Sequence, residues 1–105
     1  MQDKLNTSRA LFSVIFVVGE TSSIWQTTVK SAEEAFNNWL NQLEPIDGLI
    51  SVEDISTLRA DIGFLELVSM NGVKSVWGTT DTLPGGFAQI YIVATMTENP
   101  QWQVL

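Results

Sequence analysis

An α+β fold, an antiparallel sheet of about five strands covered on one face by one main amphipathic helix, is what this sequence predicts, in the order ββααβββ along the chain. Three observations carry it. The segment Ser31 to Leu43 holds a single apolar stripe at helical spacing, Ala10 to Val18 is a β-branched and aromatic run, and Asn71-Gly72 separates two strand-like segments. A chain of 105 residues holds one core and not two, so residues 9–105 are read as a single domain behind a loose leader at 1–8.

The helix is the best-defined element. Ala32, Ala35, Phe36, Trp39, Leu40 and Leu43 recur at i, i+3, i+4, i+7, i+8 and i+11, while Glu33, Glu34, Asn37, Asn38, Asn41 and Gln42 take the opposite side. Ser31 with Glu34 three residues on forms a capping box, which starts the helix at Ala32. Pro45 pushes Glu44 into extended backbone, so the helix stops near Leu43.

Before it, ALFSVIFVV at Ala10–Val18 is apolar on both faces, which marks an interior strand. Gly19 to Ser23 breaks the run, and Ile24 to Val29 resumes with Trp25, Thr27 and Val29 on one side, giving a hairpin. After Pro45, Ser51-Val52-Glu53-Asp54 repeats the capping pattern, and Ile50 with Ile55 is placed as a hydrophobic staple for a second, shorter helix running to Gly63. Phe64 to Met70 and Val73 to Thr80 flank Asn71-Gly72, a dipeptide suited to a type I′ turn. A two-residue loop pairs Met70 with Val73, Val68 with Ser75 and Glu66 with Trp77, and sets Leu67 opposite Val76 on the core face. Asp81 to Gly86 reads as a loop. Phe87 to Met96 is a last strand with Ala88, Ile90, Ile92, Ala94 and Met96 on one side.

Composition excludes several chemistries. There is no Cys and no His, so disulfides, the usual zinc sites, and Ser-His-Asp or Cys-His catalysis are out of reach. Five basic residues are scattered among twelve acidic ones for a formal charge of −7, which argues against nucleic-acid binding. The run Ala10–Val18 is about half a bilayer span, and the N-terminal residues lack a signal-peptide layout, so the expectation is a whole chain kept in the cytoplasm.

No residue stands out as catalytic, and no cofactor or metal is expected. Glu33/Glu34 and Glu53/Asp54 lie in first helical turns, where the helix dipole favours carboxylates. Asp47 and Asp81 lack the alternating spacing of a calcium loop, and Gly85-Gly86 has no following helix or lysine to make a phosphate loop. The aromatics say more, because Trp25, Trp77, Phe87, Tyr91 and Trp102 exceed what two short helices can cover. The resulting expectation is a small acidic non-catalytic protein that inhibits a basic protein partner, as toxin immunity proteins and phage inhibitors of bacterial defence do. Its candidate contact residues are Trp25, Trp77, Tyr91, Glu33, Glu53 and Asp54. The alternative is a self-associating subunit, a homodimer through the open sheet face. A carboxylate-dependent enzyme is the remote third reading, and it requires a pocket holding two acids with perturbed pKa values.

Overall fold

The computed structural model describes residues 9–70 and 75–95. The strand β1 (Ala10–Val18) pairs with β2 (Thr21–Val29), followed by the helices α1 (Ala32–Gln42) and α2 (Val52–Asp61). A 3₁₀ turn at Ile62–Phe64 leads to the two-residue strand β3 (Val68–Ser69), then β4 (Val76–Leu83) and β5 (Gly86–Thr95). These strands form one antiparallel sheet in the order β2-β1-β5-β4-β3. The chain is α+β as expected, with order ββααβββ. The leader at 1–8, Met96, Trp102 and the Asn71-Gly72 turn lie outside the described residues.

Both helices sit on one face of the sheet, α1 across β1, β2 and β5, and α2 against β4. The reason is the alternation of each strand. Phe12, Val14 and Phe16 of β1 and Ala88, Ile90 and Ile92 of β5 are buried beneath the helices, together with Ala35, Phe36, Trp39 and Leu40 of α1. Trp39 is 1 % exposed; its ring centroid lies 5.3 Å from Phe16 and 6.1 Å from Phe36.

Local chemistry sets the helix ends. Ser31 Oγ accepts from the Glu34 N–H at 3.1 Å, but the Glu34 carboxylate accepts from Lys30 N–H rather than from the cap's own amide, so the first capping box is only half formed. The second is complete: Ser51 Oγ accepts from Asp54 N–H, and Asp54 Oδ2 from Ser51 N–H. Both staple residues, Ile50 and Ile55, are buried. The C-terminal end of α1 is closed from a distance, because the Arg59 guanidinium of α2 donates to the carbonyls of Leu40, Asn41 and Leu43 at 2.9 to 3.3 Å. A cation on these orphan carbonyls is favourable for charge as well as for hydrogen bonding.

Further sequence expectations are corrected, among them the strand expected over Phe64 to Met70, which is confined to Val68–Ser69. The β1–β2 turn is only Gly19-Glu20, with Gly19 at φ 61° and Val18 opposite Thr21, so β2 begins three residues before Ile24. Asp81–Leu83 is strand and not loop; the turn is Pro84-Gly85, with Leu83 paired to Gly86. The last correction is the register of β3 on β4. Val68 pairs with Gly78 and Ser69 with Trp77, and Met70 N–H donates to the Val76 carbonyl at 2.9 Å. The pairs Val68–Ser75 and Glu66–Trp77 therefore do not form, the pair Met70–Val73 involves a residue outside the described ones, and the inward residue of β4 is Trp77, not Val76. Trp77 stands beside buried Ile92 on the helix-covered face, 6.1 Å from the Phe12 ring. Burying an indole outweighs burying an isopropyl group, and a slip by one residue would turn the whole strand over.

Among the described residues, no element lies upon the other face of the sheet. Its cross-strand rows run Ile24–Ile15–Tyr91–Gly78 and Gln26–Ser13–Val93–Val76. Ile24, Phe87 and Val68 on this face are 66 %, 57 % and 58 % exposed.

Candidate functional site

The groove that brings sequence-predicted contact residues together runs along the N-terminal half of α1. One end is lined by Phe12, Lys30, Glu33, Leu67 and Trp77. The other end continues past Glu33 and Leu67 to Phe36, Ile62, Leu65 and Glu66. Glu33 stands there because its position on α1 lies off the apolar stripe, at the helix margin, and Trp77 because the register of β4 turns it inward. The apolar floor is half-buried Trp77, Leu67, Leu65 and Ile62, and among the described residues the rim carries the exposed carboxylates of Glu33 and Glu66 with the cation Lys30. Phe64, in the 3₁₀ turn between Ile62 and Leu65, is 88 % exposed.

The remaining candidates lie elsewhere. Trp25 is half-buried on the same face of the sheet, in a second groove near the C-terminal end of α1 lined by Trp39, Leu43, Glu44 and Ile46. Tyr91 is on the uncovered face, opposite Ile15 and Gly78. Glu53 is exposed on the first turn of α2. Asp54 is 4 % exposed and its carboxylate is used within the fold. Oδ2 caps Ser51, and Oδ1 accepts from Gly85 N–H at 2.9 Å, which ties the β4–β5 turn to α2. Burial alone would raise its pKa. The Ser51 and Gly85 amides and the Ser51 hydroxyl outweigh that and hold it below the ordinary aspartate value. Sequence reading placed Asp54 among the contact residues because both roles, cap and contact, look the same as a Ser-x-x-Asp string.

One carboxylate pair has an unusual environment. Asp81 points to the covered face, where burial and then the neighbouring Asp61 carboxyl push its pKa up against the opposing pull of the Thr82 N–H. Its Oδ2 is buried without a hydrogen-bond partner. Neither acid lines either of the grooves above. Among the described residues no group of three or more Asp or Glu side chains converges as a metal site, and no helix is long and apolar enough to cross a membrane.

Glu66, Leu65 and Phe64 are contributions that sequence reading missed. Residues 64–70 read as one strand, and a strand assignment hides the irregular bend at 62–67 that lays these residues beside α1. Comparison with family models, with curated proteins and with solved structures returns no match.

Proposed function

We propose that this chain is a non-catalytic inhibitory protein of the cytosol that holds a basic, partly apolar segment of another protein in the groove between α1 and residues 62–67. The observation that carries the reading is the pairing of Glu33 and Trp77 in one groove that continues to Glu66. Carboxylates on the rim would draw in lysine and arginine, and the half-buried aromatic and aliphatic floor would take the intervening apolar side chains. Holding such a segment blocks it, which is the inhibitory part of the reading. A non-catalytic role is supported by the separation of the Asp61/Asp81 pair from this groove.

Pull-down from host lysate with the intact protein, set beside Glu33→Lys, Glu66→Lys and Trp77→Ala, tests it. A basic partner should be retained at about 0.1 M salt and lost toward about 1 M, as the Debye length falls from about 10 Å to about 3 Å. The two charge reversals, both at exposed positions, should weaken capture while the fold persists, Glu33→Lys costing no more than about 0.3–1 kcal/mol of stability, the contribution of a first-turn carboxylate. Trp77→Ala should cost about 2 kcal/mol of affinity. A partner held equally by wild type and both charge reversals would show that this groove is not the site.

A further inference from the structure

We infer that the uncovered face of the sheet is an isologous dimer interface, on which a second copy of this chain stacks face to face. This goes beyond the groove reading and does not depend on it, since the two surfaces lie on opposite sides of the sheet.

The first argument is charge. Every described strand residue that points to this face is uncharged, in a chain whose formal charge is −7. The carboxylates of the described residues are elsewhere: on or between the helices, at Glu66, inward at Asp81, or at Glu20 in the β1–β2 turn. An uncovered antiparallel face ordinarily alternates polar or charged residues outward. Here Ile24, Ile15, Tyr91, Val93, Val76 and Phe87 point outward among uncharged polar residues such as Ser13, Gln26, Thr80 and Gln89, and the charged residues are missing. Such a face offers a basic partner nothing to pair with. A second copy meets it without burying any like charge of the described residues, because their acids lie on the helical side or in the turn at the sheet's end.

The second argument is area and relief. Nine-residue strands at about 3.4 Å per residue are about 30 Å long, and five strands at about 4.8 Å spacing span about 20 Å, so the face is about 600 Å² in plan. That matches the roughly 600 Å² per partner at the lower end of specific stable interfaces. The centre is flat. A Cβ on Gly78 would meet Tyr91 at 3.4 Å and the Met70 sulfur at 3.3 Å, so the ring and the thioether lie down over the glycine. Two such sheets can approach to the about 10 Å of a sandwich.

Sedimentation equilibrium of the full chain across a concentration series, with the variants Ile24→Lys and Phe87→Lys, is the test. Wild type should be dimeric at micromolar concentration. Each lysine should raise the dissociation constant by about 30-fold or more while circular dichroism stays unchanged, because both positions are exposed. Glu33→Lys should dimerise like wild type, which separates failure here from failure of the groove. Hydrogen exchange reads the mode: the outward amides of the edge strand β2 should remain fast in the dimer. A wild type that stays monomeric, whether its face is bare or covered by residues 96–105, overturns the inference. So does a dimer that protects the β2 edge and ignores Phe87→Lys, since that is edge pairing.

Discussion

The two faces of this sheet are built from the same strands and have opposite chemistry. On one, Phe12, Val14, Phe16, Ile90 and Ile92 are sealed under helices whose outer surfaces carry most of the acids. On the other, apolar residues such as Ile15, Ile24, Tyr91 and Phe87 alternate with Ser, Thr and Gln, and no charge stands among them. Alternation along β1 and β5 makes both faces at once, so neither can be altered by a register slip without destroying the other. The contrast separates stability from the proposed association: the covered face holds the fold, and no element of the described residues lies on the other. Salt should act on them oppositely. Screening weakens a basic segment's attraction to Glu33 and Glu66, and it relieves the mutual repulsion of two copies at −7 each. Groove binding should fall with ionic strength while dimerisation rises.

The largest effect expected on the covered side comes from Trp39, which fills the space between α1 and β1. Trp39→Ala should cost about 3–5 kcal/mol, much of a typical domain's stability. Ile24→Ala on the uncovered face should change the melt of the monomer by less than about 0.5 kcal/mol, because the side chain is 66 % exposed. Urea midpoints measured at concentrations below dimerisation make the comparison, and equal losses at both positions would erase the distinction between the faces.

How much of this was legible in sequence depends on whether a local or a distant contact decides the outcome. Helix α1 was readable because its stripe, Ser31 cap and Pro45 stop are all local. The double-sided apolar run of β1 placed it inside the sheet, flanked as observed by β2 and β5. The β3–β4 register was not readable. Asn71-Gly72 favours a two-residue loop, but the pairing is decided by where the Trp77 indole packs, on Phe12 some 65 residues earlier in the chain. Arg59 fits a helical spacing in α2, and nothing in that spacing says that its guanidinium closes the end of α1. The site was half legible for the same reason. Glu33 and Trp77 were candidates individually, and only the fold lays them in one groove and sends Tyr91 to the other face.

Next in size is the link between α2 and the β4–β5 turn. Asp54→Ala removes a complete capping box and leaves the Gly85 N–H without its partner, so a loss of about 1–3 kcal/mol is expected. Gly85→Ala should also destabilise, since its Cβ would sit 2.9 Å from Asp54 Oδ2. The Asp54 contribution has a definite pH dependence. Its folded pKa is depressed, so the stability is fully present above the unfolded value and disappears as pH falls below about 4 and through the folded value. Thermal melts of wild type and Asp54→Asn between about pH 2 and pH 7 should converge at the acid end. A constant gap would mean that the carboxylate's charge is irrelevant there.

The smallest effect runs the other way and comes from Asp81. Its folded pKa is raised by burial and by Asp61, so the ionised form is a burden on the native state: absent below the unfolded aspartate value and fully present above the folded one. Asp81→Asn keeps an oxygen for the Thr82 N–H and gains an amide that can donate toward Asp61. The variant should therefore melt higher than wild type at neutral pH, and the advantage should shrink as pH falls toward about 4 and Asp81 becomes neutral in both states. Because Asp81 faces the helices, this titration should leave the dissociation constant of the dimer unchanged, whereas Phe87→Lys should raise it and leave the pH profile of the melt alone. A dimer that responded to Asp81→Asn as strongly as to Phe87→Lys would mean that the two faces are coupled through the sheet, and the separation drawn between them would have to be given up.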